Sequence, residues 1–247
     1  MIATTDARWQ RFFAWNGILF AVFCALGLEV FMPQPPGFGV SAAATADYYQ
    51  ANYTGFLVGV TLCAIAMAFL LAWSLQLGLM LWQAGSSRIA TVVAIVSLSA
   101  SPILLSFDLT FFAVASYRAG QVNPDVTQAL SDVAWIGSML IWPQLGFSML
   151  IVGILILQSR GHRAGFPAWL GWLSIACAAI EPFQAGIIFA KTGAFAPDAA
   201  LTWYAAVLSW GAWIIALTVV MIRRLSARSS TIPTSHESAV AVGPKTV

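Results

Sequence analysis

Six stretches of this chain are long and apolar enough to cross a lipid bilayer, which takes about 20 residues of helix each. They run approximately over Phe12–Met32, Gly55–Gln83, Ile89–Tyr117, Val133–Leu157, Pro167–Ala190 and Ala200–Ile222. The expected fold is therefore all-α, a polytopic membrane helical bundle with six transmembrane helices. Residues 1–11 form a cytoplasmic N-terminus, 12–224 the six-helix transmembrane domain, and 225–247 a disordered cytoplasmic tail rich in Ser, Thr and Pro. Only 8% of the residues are charged, whereas soluble domains carry about 25%. The second and third stretches exceed the minimum span, so tilt or protrusion is expected of them. The first does not read as a cleaved signal peptide: it has no clear cleavage site, contains Glu29 and leads into further membrane segments.

Basic residues set the orientation, because Lys and Arg accumulate on the cytoplasmic side. With the N-terminus inside, Arg8, Arg11, Arg88, Arg160, Arg163, Arg223, Arg224, Arg228 and Lys245 are cytoplasmic, and Arg118 and Lys191 lie outside. The expected arrangement is a multi-pass membrane protein with both ends inside. The net charge of +2 is explained by this placement and does not point to nucleic acid. Cys24, Cys63 and Cys177 lie within apolar segments and form no CxxC, so neither a disulfide framework nor a thiolate metal site is expected. His162 and His236 fall in a loop and the tail, which disfavours a membrane-embedded iron or copper site. No nucleotide-binding motif occurs, and no cofactor is expected.

The outer loops carry their own signals. Pro33-Gln34-Pro35-Pro36-Gly37 stops the first helix, since proline lacks a backbone donor. Residues 41–53 read as a short interfacial helix, with Tyr48, Tyr49 and Tyr53 suited to a membrane–water boundary. Asn123-Pro124-Asp125 reads as a turn, after which Ser131 or Asp132 is placed to cap the fourth helix.

Four carboxylates, Glu29, Asp108, Asp132 and Glu181, lie in or beside the apolar segments with no Lys or Arg among them. An ionised group in hydrocarbon costs roughly 2.5–3.5 kcal/mol on insertion scales. Such groups must face one another, water or a functional cavity. A helical rise of about 1.5 Å per residue puts all four in the outer half of the bilayer. Ser97, Ser101 and Asp108 share one helix face, and Ser174, Cys177, Glu181 and Gln184 share another. On the fourth helix Asp132, Trp135 and Trp142 share a face, while Gln144 points elsewhere. The polar stripes of the third, fourth and fifth helices are expected to converge, with Asp108 and Glu181 facing a common hollow. Four ionised acids packed together would repel, so at least one of Asp108 and Glu181 is expected to be a neutral acid. An ionised carboxylate beside a neutral one is what general acid–base work requires.

Pro102, Pro143 and Pro182 are expected to kink their helices and free backbone carbonyls near Asp108 and Glu181. Trp9, Trp15, Trp82, Trp169 and Trp172 fit the inner interface and Trp203 the outer one. Trp73, Trp135, Trp142, Trp210 and Trp213 lie deeper, in packing positions or lining a pocket. Gly146 and Gly153 permit close helix contact without forming GxxxG.

Four stretches, Phe31-Met32-Pro33-Gln34-Pro35-Pro36, Leu130-Ser131-Asp132-Val133-Ala134-Trp135, Phe166-Pro167-Ala168-Trp169-Leu170-Gly171-Trp172 and Lys191-Thr192-Gly193-Ala194-Phe195, carry a resemblance. Through them the chain, up to Arg224, resembles an uncharacterised family of bacterial, mainly actinobacterial, polytopic membrane proteins. The resemblance implies the six-helix topology and a location in the inner (cytoplasmic) membrane of a bacterium, adds weight to Asp132, and implies no particular reaction. Small membrane-bound terpene cyclases offer a likeness of architecture alone, with carboxylates in a helical bundle.

The expected function is a pocket for a lipophilic small molecule. Asp108, Glu181 and Asp132 are the candidate catalytic acids and bases. Glu29, Trp135, Trp142, Gln144, Gln184 and Ser101 are the candidate substrate contacts. A cofactor-independent isomerase or cyclase acting on an isoprenoid-like compound fits this set. A proton-coupled transporter and a non-catalytic membrane subunit are the alternatives. Membrane lipids and the lipophilic molecule are the expected partners, and the sequence leaves the oligomeric state open.

Overall fold

The computed structural model describes residues 2–159, 165–197 and 199–230, and every regular element in it is helical. Arg160, His162, Arg163, His236, Lys245 and the expected tail from 231 onward lie outside the described residues, as does the side chain of Trp203. Six apolar spans are present, over residues 6–31, 53–83, 88–118, 124–158, 168–189 and 204–227. Helix is the form that lets such segments satisfy every backbone group without water.

Helix α1 (Ile2–Ala25) opens into a π-helical turn, Leu26–Phe31, closed by a 2.8 Å bond from the Met32 N–H to the Gly27 carbonyl. Two glycines let this turn press on α3 (Tyr53–Gln83): a Cβ on Gly27 would sit 2.8 Å from the Gly59 carbonyl, and one on Gly59 2.7 Å from that of Gly27. Between them lies α2 (Ala42–Ala51), capped by Ser41, whose hydroxyl accepts from the Ala44 N–H at 3.4 Å. The short interfacial helix read from the sequence is thus present. Helix α4 (Arg88–Arg118) follows, capped by Ser87, and passes through Pro102 as one helix.

The fourth span differs from expectation at its start and in its middle. It begins at Pro124, not near Val133: the Asn123 side chain accepts from the Asp125 N–H at 3.0 Å, and Pro124 occupies the first turn, where its missing N–H costs nothing. Asn123-Pro124 is therefore a helix start rather than a free turn. Ser131 and Asp132 lie two turns inside and cap nothing. The span then breaks at Ile141 into α5 (Pro124–Leu140) and α6 (Trp142–Gln158), because Pro143 has no N–H to continue the ladder.

Pro182 acts similarly in the fifth span. Helix α7 (Ala168–Ile180) gives way at Glu181 to a 3₁₀ segment, Glu181–Phe189. The carbonyl that Pro182 leaves without its helical donor is that of Ala178, and Gly146 of α6 packs onto it, where a Cβ would stand 3.0 Å away. One face of α6 meets α7 at a second such point: a Cβ on Gly153 would lie 2.8 Å from the Gly171 carbonyl. The close contact expected of Gly146 and Gly153 is made here, within the chain. Helix α8 (Ala200–Ser230) ends the described chain, so residues 225–230 are helical and not the start of a disordered tail.

The spans form a ring in which α1 packs on α3, α3 on α4, α4 on α5 and α6, α6 on α7, α7 on α8 and α8 on α1. Trp9, Trp15, Trp82, Trp169 and Trp172 are exposed, as lipid-facing anchors are, whereas Trp73, Trp135, Trp142, Trp210 and Trp213 are buried. Across the end of the ring that carries α2, the proline-rich loop is tied down. Tyr48 donates its hydroxyl to the Pro33 carbonyl, the Trp135 indole N–H donates to that of Pro36 at 3.0 Å, and the Gln128 amide donates to that of Val40 at 2.9 Å.

Candidate functional site

Ring closure leaves a cavity of about 290 Å³ in the half of the bundle nearer α2. Every span except the fifth contributes to its wall. Phe20, Ala21 and Cys24 come from α1, Leu28 and Glu29 from the π turn, and Cys63 and Met67 from α3. Leu105, Asp108, Leu109 and Phe112 come from α4, and Ser138, Met139 and Trp142 from the α5–α6 junction. From α8 come Val207, Leu208, Trp210, Gly211 and Ile215. Leu208 and Ile215 are exposed on the outside of the bundle, so the mouth opens sideways, where lipid would lie. At the α2 end Met32 and Phe112 are buried and close the cavity beneath the tied-down loop.

Asp108 is the buried polar group of this wall, at 7% exposure. One carboxylate oxygen packs on Gly137 of α5, where any Cβ would collide with it. The other, Oδ2, is buried and has no hydrogen-bond partner. Buried polar atoms normally find partners; an oxygen without one in a cavity wall is poised to accept from whatever enters. Glu29 is the second acid of the wall and is exposed. The π turn carries it there: a π-helical turn shifts the register of the side chains beyond it, a device frequent at functional sites.

Aromatic rings frame the space. Trp142 and Trp210 meet edge to face at 5.3 Å, and Phe20 meets Trp210 at 4.9 Å. Toward α2, Phe112 links the wall to Trp135 and Phe56, with centroids 5.7 and 6.2 Å away. The indole nitrogens of Trp142 and Trp210 are also buried without partners. The Cys24 and Cys63 thiols, from α1 and α3, are close enough to hydrogen-bond, and both are free. Among the described residues no three His, Cys, Asp or Glu side chains form a metal cage.

The hollow expected to be shared by Asp108 and Glu181 does not form. Glu181 is fully buried, but its stripe faces α8. The Ser209 hydroxyl donates to Glu181 Oε1 at 2.9 Å, the Cys177 thiol donates to the Ser209 carbonyl at 3.6 Å, and the Trp213 indole donates to Ser174 Oγ at 2.8 Å. The polar face of the fifth span is thus taken up by a complementary face on α8. Glu181 Oε2 and Gln184 Oε1 remain buried without partners, away from the cavity wall.

The other candidates separate as clearly. Trp142 lines the cavity. Trp135 does not: it is fully buried against Phe112 and holds the loop through Pro36. Asp132 is half-buried near the α2 end, within electrostatic reach of Lys191 and Tyr49, and is not a wall residue. Ser101 is buried and bonds back to the Ser97 carbonyl at 3.4 Å. The Gln144 amide donates to that same carbonyl at 3.0 Å, close to Pro102, and so joins α6 to α4. Phe20, Ser138, Met139, Trp210 and Gly211 enter the wall without having been singled out as site residues. Trp210 was legible as a deep tryptophan, and Gly211 carries no signal of its own.

The chain matches no family model, no curated protein and no solved structure.

Proposed function

We propose that this protein, in the inner membrane of a bacterium with both termini cytoplasmic, binds a lipophilic small molecule in its outer-half cavity and exchanges a proton with it through Asp108. The observation that carries this reading is the unpartnered Oδ2 of Asp108 in the wall of a largely apolar space. The volume is at the small end of the range for ligand pockets, about 300–1,000 Å³. At about 30 Å³ for a water-sized group, it takes a body of roughly ten such groups. That is the scale of a short isoprenoid unit, with any longer tail leaving through the lateral mouth.

Glu29 replaces Glu181 as the partner of Asp108 in this proposal, because both line the same space. In an isomerase or cyclase reaction one carboxyl delivers its proton to an alkene or epoxide and the other removes a proton from the rearranged product. No external oxidant, reductant or cofactor is needed. A proton-coupled carrier is the second reading. It is favoured by buried polar atoms without partners on the opposite side of the cavity from α2, at Asn16, Trp73 and Thr218, the last two meeting at Gly17.

The test is extraction of the purified full-length protein, followed by incubation of the released molecule with fresh protein in D₂O. The expected result is one enriched lipophilic species that gains deuterium with wild type and not with Asp108→Asn. An extract containing bulk lipid alone, or labelling unaffected by Asp108→Asn, rejects the proposal.

A further inference from the structure

The chemistry of the wall restricts what can occupy it. Both charged groups that line the cavity are acids, and no Lys, Arg or His is among the described lining residues. Three of the described cations stand over rings outside this wall: Arg88 lies 5.5 Å from the Trp82 centroid, Arg118 5.6 Å from that of Tyr117, and Arg224 5.5 Å from that of Phe166. An anionic occupant would meet Asp108 and Glu29 with nothing to offset them. A neutral hydrocarbon would leave Asp108 Oδ2 without a partner, as it stands now. An inorganic cation needs about six converging oxygen ligands, and among the described residues no three His, Cys, Asp or Glu side chains converge on one point.

A positive charge on an apolar body satisfies each of these conditions. Aromatic faces attract cations, most strongly where water is excluded, and Phe20, Phe112, Trp142 and Trp210 stand around the space that Asp108 faces. Trp210 packs edge to face against both Trp142 and Phe20, and all three residues belong to the cavity wall. Glu29, exposed in the same wall, supplies a second attraction, and Leu208 and Ile215 supply apolar flanks.

We propose that the occupant of this cavity is a lipophilic ammonium: a protonated amine on an apolar body, its N–H donated to Asp108 and its charge held between that carboxylate and the Trp142–Trp210 pair. The proposal rests on the cavity reading above and names the class of molecule that reading leaves open. The ammonium belongs either to a free lipophilic amine or to the headgroup of an amine-bearing lipid.

The test uses full-length protein in dodecyl maltoside micelles, which carry neither an amine nor a net charge. Three ten-carbon probes, decylammonium, decanol and decanoate, are titrated at neutral pH while tryptophan fluorescence is followed. Decylammonium is expected to bind about tenfold more tightly than decanol, and decanoate to bind least. Asp108→Asn is expected to bring the ammonium and the alcohol to within about twofold of one another, with Glu29→Gln giving a smaller loss of preference. If Asp108→Asn does not fold, Glu29→Gln and the wild-type ranking decide. Decanol binding as tightly as decylammonium overturns the assignment of charge and leaves the cavity reading standing. Binding of none of the three, or binding unchanged in Gly211→Phe, overturns the cavity reading itself. Both lipid outcomes below support the ammonium and separate its sources: competition by phosphatidylethanolamine added to the micelles identifies a headgroup, and indifference to it a free amine.

Discussion

Filling the cavity from Gly211 separates the cavity from its chemistry. A Cβ built at Gly211 meets no atom within 4 Å, although the residue lines the wall in the middle of α8. Gly211→Leu adds four carbons, about 120 Å³ at roughly 30 Å³ for a water-sized group, against a cavity of about 290 Å³. The side chain therefore fits and removes about two fifths of the space. Replacing glycine in a helix interior by a good helix former contributes up to about 1 kcal/mol. New contacts with Met67, Leu109 or Phe112 across the cavity would add to this. The expected net effect is a stabilisation of about 0.5–1.5 kcal/mol, a rise of a few degrees in melting temperature for a chain of this size. It is read by thermal unfolding of the detergent-solubilised protein, with Gly211→Ala as the smaller step of the series. A loss of about 1 kcal/mol or more, the usual cost of overpacking a filled core, would show that α8 packs without the space described here.

Two further outcomes follow from the packing. Gly153→Ala is expected to cost about 1–3 kcal/mol despite its better helix propensity, because the new Cβ would stand 2.8 Å from the Gly171 carbonyl and 2.9 Å from Ile175; thermal unfolding measures it, and an unchanged melting temperature rejects the close α6–α7 contact. The second concerns Tyr48 and Tyr49 of α2, whose burial holds both phenols above the ordinary value of 10. The folded state keeps these protons where the unfolded chain loses them, so stability is unaffected below about pH 10 and falls above it. Absorbance at 295 nm is expected to show tyrosines that ionise only as the protein unfolds, and titration of every tyrosine at its ordinary pH would contradict the burial of α2.

How much of this was legible depended on whether the signal was local. Length and hydropathy located the six spans because each span meets the bilayer requirement by itself. Pro143 and Pro182 were readable as breaks for the same reason, since a missing N–H acts within one turn. Pro102 carries the same mark and leaves α4 whole, with Gln144 reaching in from α6 beside it. The start of the fourth span was misplaced because Asn-Pro serves equally as a turn and as a cap followed by a first-turn proline. The companionship of the acids was not legible at all. Helical periodicity states which residues share a face, and it is silent about which helix that face meets. Asp108 and Glu29 come from spans that are not consecutive, and they line one cavity only through the closing of the ring. The polar stripe at Ser174, Cys177 and Glu181 was correctly drawn and wrongly aimed. Its partners on α8, Ser209 and Trp213, are four residues apart on one helix face, a pattern that could have been matched to it.

The lateral mouth at Leu208 and Ile215, beneath a loop pinned through Pro33, Pro36 and Val40, has a bearing on affinity. A guest arriving by that route comes from the hydrocarbon phase, so the activity that governs saturation is the one reached after partitioning. Amphiphiles concentrate strongly in bilayers. A modest intrinsic dissociation constant, expressed per lipid, would then suffice for the chamber to be filled at trace aqueous levels, and titrations reported against total volume would vary with the amount of membrane in the cuvette.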